Sequence, residues 1–263
     1  MNKIKNIVFI GAGNVATHLA VAFKNAGLNI CCIYARTEES ASKLAYKVFA
    51  DYTVEPDELP GDADIYFITV RDSMITEVIG NLRLKKKLVV HTSGTIPMDV
   101  LQKASSVYGV FYPLQTFIKE RKVIFRDIPV CIEASDGLAL NKLRQLASLI
   151  SDDVREFSSE QRRVIHLSAV VACNFTNYMY AIAEGILQRY DIPFNILYPL
   201  INETAHKIRN VKPLFVQTGP AMRGDMEIIE KHLEMLSELP DYKEIYKLIS
   251  ESIINQQRKN EKL

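Results

Sequence analysis

A glycine-rich segment lies close to the N-terminus. Residues 11–16, Gly-Ala-Gly-Asn-Val-Ala, match the pattern G-x-G-x-x-G/A, which is typical of turns that hold a dinucleotide. In this pattern the first glycine permits a tight turn, the second lets a pyrophosphate approach the backbone, and the last small residue keeps the helix close to the sheet. The segment predicts cofactor contacts from Gly11, Gly13, Asn14 and Val15, and the alternative is a chance glycine turn.

A second candidate contact lies at the end of the next predicted strand, in the sequence Ala35-Arg36-Thr37. An acidic residue at this point binds the ribose 2′-hydroxyl of NAD, whereas an arginine accommodates the 2′-phosphate of NADP. Arg36 can bind a phosphate through its planar guanidinium, and Thr37 can contact the phosphate and cap the next helix. The pattern favours NADP(H), and the alternative makes Arg36 a surface residue beside two glutamates.

Two later strands also end in residues that could contact ligands. One strand ends at Val70, and the next runs into His91-Thr92-Ser93-Gly94. Ligands of open α/β sheets bind outside the carboxyl ends of the strands. We therefore expect Val70 to contact the cofactor and His91 and Ser93 to contact the substrate, with a plain turn after His91 as the alternative.

The hydrophobic pattern indicates which elements position these residues. Up to residue 157, short apolar runs alternate with helical periodicity, and from residue 158 only helical periodicity remains, starting with a helix over 160–190 that Ser158 or Ser159 caps. The strands are predicted at residues 7–10, 28–35, 64–70, 87–91, 107–112, 128–134 and 154–157. The fold class is thus α/β, with a Rossmann domain and a doubly wound parallel sheet at 1–157, followed by an all-α substrate and dimerisation domain at 158–263.

Composition and charge exclude several classes of partner. The net charge of +1, with basic residues scattered among acids, gives no electrostatic footprint for nucleic acid or an anionic membrane. The four cysteines lack C-x-x-C spacing, so neither a disulfide framework nor a metal site is expected. Without a signal peptide or a membrane-length apolar run, the expected location is the cytoplasm.

Several motifs together resemble a known group of proteins. They are GAGNVATHLA, YART, HTSGT, GVFYPLQTF, IHLSAVVACNFTNYMYAIAE and QTGPAMRGD. With them the chain resembles the 6-phosphogluconate-dehydrogenase-like superfamily, which includes β-hydroxyacid dehydrogenases, pyrroline-5-carboxylate reductases and deazaflavin-dependent NADP oxidoreductases. More narrowly, it is similar to a little-characterised family of Rossmann-like proteins with a helical C-terminal domain. One departure is Tyr112, where such proteins often have histidine.

The resemblance implies that the helix over residues 164–187 presents polar side chains to the nicotinamide. His166 and Asn174 lie on one side of that helix, because residues eight apart share a face. His166 is therefore a candidate proton donor and Asn174 a candidate substrate ligand, with His91 as an alternative acid. In the other interpretation His166 is a hydrogen-bonded residue at a helix end and Asn174 a packing amide.

These observations predict a function and a rival to it. The chain is expected to be an NADP(H)-dependent oxidoreductase that transfers hydride to or from a small carbonyl, imine or hydroxy acid. The rival is a non-catalytic NADP-binding sensor or a partner-binding protein. The uniformly apolar segment 169–187 also predicts a homodimer formed through the helical domain.

Overall fold

The computed structural model describes residues 4–82 and 84–260, which divide into two compact units at Cys173 and Asn174. The first unit contains a sheet of eight strands and five α-helices among its described residues. Its strands are β1 (Asn6–Ile10), β2 (Asn29–Tyr34), β3 (Asp51–Thr53), β4 (Ile65–Ile68), β5 (Lys85–His91), β6 (Ser105–Pro113), β7 (Val130–Ala134) and β8 (Val154–Glu156). Its helices are α1 (Asn14–Asn25), α2 (Glu38–Val48), α3 (Ile75–Asn81), α4 (Gly137–Ser148) and α5 (Ser159–Ala169).

The strand order β3-β2-β1-β4-β5-β6-β7-β8 confirms the predicted Rossmann-type sheet. The pairing is parallel except between β6 and β7, which run antiparallel. The sheet is thus mostly parallel, with one antiparallel pair that the hydrophobic pattern does not reveal. The connection from β6 to β7 contains a short 3-10 turn, Phe125–Asp127, and no α-helix that could carry the chain back for a parallel pairing. The prediction also missed β3, an edge strand of only three residues.

The two faces of the sheet have separate hydrophobic cores because side chains alternate along each strand. Ile7 and Phe9 of β1 belong to one core, and Val8 and Ile10 belong to the other. In the first core Phe9 stacks on Phe67 at 5.1 Å between ring centroids. Because β1 is buried on both faces of the sheet, it appears in the sequence as a continuous apolar run. This burial also fixes the start of the glycine turn that follows β1.

The second unit contains only helical elements among its described residues. A π-helical segment, Val170–Phe175, leads into it from α5. The helix predicted over 160–190 is therefore helical, but it contains a π-helical segment in its middle. Such segments often occur at functional sites. The remaining helices are α6 (Thr176–Gln188), α7 (Tyr198–Lys207), α8 (Pro220–Arg223), α9 (Met226–Met235) and α10 (Pro240–Asn260).

The second unit buries few of its apolar side chains. Ile182, Ala221, Ile229 and Leu236 are buried, whereas Leu200 is 64% exposed and Phe215 75% exposed. In the described part of the chain, no helix has the length and apolar character needed to cross a bilayer.

Candidate active site

The glycine turn joins β1 to α1 and leaves no room for a side chain at its first position. Gly11 has a φ of 118°, in the left-handed region, and its N–H donates to the carbonyl oxygen of Tyr34 at 2.8 Å. A Cβ atom on Gly11 would lie 2.8 Å from the carbonyl oxygen of Thr69. A Cβ atom on Gly13 would meet only that same oxygen, at 3.8 Å, which is an ordinary contact. The fold thus requires glycine at position 11, whereas Gly13 leaves the backbone open to a ligand.

The N-terminus of α1 is suited to an anion. Gly13 is its N-cap and supplies no side-chain acceptor, and the first turn contains no acidic residue. The N–H groups and the positive end of the helix dipole therefore stay available. Asn14 and Val15 lie in this first turn, and the side-chain amide of Asn14 donates to the carbonyl oxygen of Phe117 at 2.8 Å. The backbone N–H of Asn14 is thus available to a ligand, and its side chain holds the loop that follows β6.

A groove of about 350 Å³ runs along the glycine turn and carries three cationic side chains. Its lining includes Val70 and Thr37, and Thr37 caps α2 by accepting a hydrogen bond from the Ser40 N–H, as predicted. The cations are Arg36, Arg71 and Lys119, and no carboxylate appears among the described residues that line the groove. Such a lining fits a ligand with several phosphate charges. The residues present therefore fit a dinucleotide phosphate.

The loop after β5 is fixed by a compact set of hydroxyl contacts. The Ser93 hydroxyl donates to Asp72 Oδ2 at 2.7 Å, and the Thr95 hydroxyl donates to the same oxygen at 2.6 Å. The Ser93 oxygen also accepts from the N–H groups of Thr95 and Ile96 at 3.1 and 3.0 Å. Ser93 is buried, and its hydroxyl donates one hydrogen bond and accepts two. Its role in the structure is therefore to hold the conformation of this loop.

His91 lies at the end of β5 and is fully buried. Its Nδ1 atom accepts a hydrogen bond from the Ser93 N–H at 3.2 Å, so the neutral ring carries its proton on Nε2. Within the described residues Nε2 has no hydrogen-bond partner. Burial, aided by the positive charge of Arg162, lowers the pKa of His91 to about 4, against smaller opposing effects of the Pro97 backbone and Asp72. His91 is therefore neutral at physiological pH.

Arg162 of α5 is buried and ties that helix to the same loop. Its guanidinium donates to Glu133 Oε2 at 2.5 Å, to the Ser93 carbonyl at 3.1 Å and to the Ile96 carbonyl at 2.5 Å. Glu133 also accepts from the Ser159 N–H and hydroxyl at the start of α5. A buried arginine with these partners fixes the loop against α5 and determines which side chain of the helix faces it.

That side chain is His166, one helical turn after Arg162. Its Nδ1 atom lies 3.1 Å from the Tyr112 hydroxyl at the end of β6. A Cβ atom on Gly94 would lie 2.5 Å from the same Nδ1, so the glycine backbone packs directly on the imidazole. Burial raises the pKa of Tyr112 to about 12, which keeps its hydroxyl protonated. The structure thus brings together Ser93, Gly94, Tyr112 and His166, and Tyr112 occupies the position that the resemblance associates with histidine.

Asn174 lies in the second unit, in the π-helical segment, and its side chain is exposed. His166 belongs to the first unit. Its grouping with Asn174 stays a prediction based on their helical spacing. In the described part of the chain, no cluster of histidine, cysteine, aspartate or glutamate has the arrangement of a metal site.

Sequence reasoning missed several residues that shape the site. Asp72, Glu133, Arg162 and Lys119 reach it from separate elements, and their types are common on protein surfaces. One of them could have been found from the sequence. Arg162 is four residues before His166, and residues four apart share a helix face, so Arg162 could have been placed beside the same site.

Two family models and several solved structures match this chain. Residues 6–94 match the family model described as "NADP oxidoreductase coenzyme F420-dependent", and residues 128–253 match a domain of unknown function, DUF2520. A comparison with curated proteins gave no match. Among solved structures, a Bacteroides fragilis protein described as a "putative NADP oxidoreductase" is 45% identical, with a TM-score of 0.91 over 96% of this chain and 98% of that one.

More distant structures share the fold. An imine reductase from Myxococcus stipitatus in complex with NADP+ is 14% identical, with a TM-score of 0.65 over 98% of this chain and 94% of that one. A 1-pyrroline-5-carboxylate reductase from Streptococcus pyogenes is 13% identical, with a TM-score of 0.61 over 95% and 98% of the two chains. The expected resemblance to NADP oxidoreductases with a Rossmann fold and a helical C-terminal region is confirmed, and the chain belongs to the same NADP oxidoreductase family as the Bacteroides fragilis protein.

Proposed function

We propose that this protein is an NADP(H)-dependent oxidoreductase that transfers hydride to or from a small carbonyl, imine or hydroxy acid. The observation that carries the proposal is the pairing of two features in the first unit. One is the cationic groove along the glycine turn, and the other is the His166–Tyr112 pair beside the Gly94 backbone. Together they offer a dinucleotide site and a group that can exchange a proton.

Gly11, Gly13 and the first turn of α1 would hold the pyrophosphate, and Arg36 and Thr37 would hold the 2′-phosphate. The bound nicotinamide supplies or accepts the hydride. Arg36 is exposed and makes no ion pair among the described residues, so its guanidinium is available to a phosphate. A charge-assisted contact of this kind contributes about 1.5–3 kcal/mol, so NADPH should bind about tenfold or more tightly than NADH.

His166 would exchange the proton that accompanies hydride transfer. Its Nδ1 is engaged by Tyr112, which leaves Nε2 for the substrate. The tyrosine hydroxyl donates to Nδ1 when the ring is neutral and accepts from Nδ1–H when the ring is charged, so it orients His166 in both states. We assign the acid to His166 rather than His91, because His91 is fully buried and its pKa is lowered to about 4. Ser93 would position the substrate loop, and Asn174 would orient the substrate through its amide.

A screen of the purified protein distinguishes the proposal from its rival. NADPH would be tested with a panel of cyclic imines, small keto acids and aldehydes, with consumption followed by the loss of nicotinamide absorbance. Turnover on a member of the panel supports the oxidoreductase. Tight NADPH binding with no turnover on the panel favours the sensor or partner-binding protein, and no binding of either cofactor overturns both functions.

We also propose a cytoplasmic homodimer formed through the helical domain at residues 158–263. The large apolar side chains that the second unit exposes, such as Leu200 and Phe215, support it, because an interface between subunits would remove them from water. Light scattering at micromolar concentration is the test. A monomeric mass there would contradict the homodimer.

A further inference from the structure

The loop between β6 and β7 lies on the first turns of α1. The Asn14 amide donates to the Phe117 carbonyl at 2.8 Å, and His18 Nε2 donates to the Ile118 carbonyl at 2.9 Å. The ring of Phe117 is buried and stacks on His18 with centroids 5.0 Å apart. Two hydrogen bonds and one ring contact therefore hold the two residues that immediately precede Lys119.

Lys119 is half-buried and lines three hollows. One is the cofactor groove, which it lines with Arg36, Thr37 and Ser40. A second, of about 120 Å³, adjoins that groove and is lined by Ser40, Lys43 and the carboxylate Glu39 of α2. The third lies along α1. Lys119 therefore lies on the side of the groove that faces α2, away from the α3 side where Arg71 lies.

We propose that Lys119 is a specificity residue that binds the 2′-phosphate of NADP(H) together with Arg36. The proposal rests on the proposed function, since it names a further residue of the same cofactor site. The glycine turn and the N-terminus of α1 already offer N–H groups to the pyrophosphate, whereas a 2′-phosphate beside Arg36 and Thr37 carries about two negative charges that one arginine balances only in part.

The hydrogen bonds from Asn14 and His18 make the lysine effective. A lysine side chain has many rotamers, and a phosphate contact must overcome the entropy lost on fixing them. Because the backbone beside Lys119 is already held on α1, only the side chain has to be ordered when the phosphate binds, and ordering the loop adds little further cost. The loop thereby links the glycine turn to the 2′-phosphate position.

The test compares Lys119→Gln with a matched control, Lys122→Gln. Lys122 belongs to the same loop and is exposed, and it does not line the groove. Dissociation constants for NADPH and NADH would be measured by nicotinamide fluorescence for the wild type and both variants. We expect Lys119→Gln to weaken NADPH binding about tenfold and to leave NADH binding unchanged, because one charge-assisted contact is lost. Lys122→Gln should bind both cofactors as the wild type does.

Each result bears on the proposal. Unchanged NADH binding by Lys119→Gln also shows that the variant is folded, so a selective loss of NADPH supports the assignment. An equal loss for both cofactors would move Lys119 to the pyrophosphate and overturn it, as would unchanged NADPH binding. In either of those two cases the proposed function still stands if the wild type prefers NADPH to NADH. If the wild type binds neither cofactor, the assignment of Lys119 and the proposed function are both overturned.

Discussion

His166 and Tyr112 meet across two elements, with Nδ1 of the imidazole 3.1 Å from the phenolic oxygen. The tyrosine comes from the end of β6 and the histidine from the last turn of α5. The contact places a titratable ring against a hydroxyl whose pKa, near 12, keeps it protonated at any working pH. Tyr112 can therefore orient the imidazole of His166 without giving up its own proton to it.

The first prediction concerns the roles of these two residues. His166→Gln should retain NADPH affinity and lose about 10²–10⁴ in turnover, since a positioned acid typically contributes that much. Tyr112→Phe should lose less and should shift the pH profile of kcat, because the ring keeps its place and loses one partner. Steady-state kinetics on a substrate from the screen would measure both. Full activity in His166→Gln would remove this histidine from the mechanism.

Asn174 is tested in the same assay. Asn174→Ala should raise KM and leave the pH profile unchanged, because an amide orients the substrate without titrating. Wild-type KM in this variant would make Asn174 a packing residue.

A second prediction uses the contact between Gly94 and His166. Gly94→Ala should displace the imidazole, because the new Cβ would lie 2.5 Å from Nδ1. Turnover should fall while NADPH affinity is retained. The matched control is Gly80→Ala in α3, where a Cβ meets nothing within 4 Å and should leave turnover unchanged. Normal turnover in Gly94→Ala would show that the position of His166 does not matter to the reaction.

The sequence predicts the parts of this fold that local pattern controls. β1 and α1 follow from an apolar run and helical spacing around the glycine turn, and the Thr37 cap of α2 follows from its position before two glutamates. β3 has three residues and too little pattern to detect. The direction of β7 depends on a connection without a crossover helix, which hydropathy does not reveal.

The site is only partly predictable for a related reason. Gly11, Arg36 and Ser93 belong to local motifs that can be recognised in the sequence. Arg162 and Lys119 belong to no motif, and they reach the site because α5 and the loop after β6 return to the carboxyl edge of the sheet. Their roles depend on contacts between residues up to about a hundred positions apart, which one sequence cannot specify.

A third prediction concerns Arg162. Arg162→Met should lower the free energy of unfolding by about 3–5 kcal/mol, because Glu133 would keep a partly buried charge without its partner. The double variant Arg162→Met/Glu133→Gln should recover part of that loss. The matched control is Arg126→Met, whose pair with Asp152 is exposed and should contribute less than about 1 kcal/mol. Urea unfolding measures all three, and equal effects of Arg162→Met and Arg126→Met would contradict the role of Arg162.

The last prediction is the pH dependence of stability that His91 causes. Its pKa is about 4 in the folded protein and 6.5 in the unfolded chain, so the unfolded state binds more protons as the pH falls. The contribution of His91 is complete above pH 6.5 and is lost progressively as the pH falls to about 4. The difference between those pKa values corresponds to about 3 kcal/mol.

Urea unfolding between pH 7 and pH 4 would measure this contribution. His91→Gln cannot titrate but can accept the Ser93 N–H, so its free energy of unfolding should fall less steeply than that of the wild type over this range. His206→Gln is the control, because it removes an exposed histidine near the end of α7 and leaves His91 in place. Parallel slopes for the wild type and His91→Gln would mean that His91 titrates normally in the folded protein, and the case against His91 as the catalytic acid would then lose its physical basis.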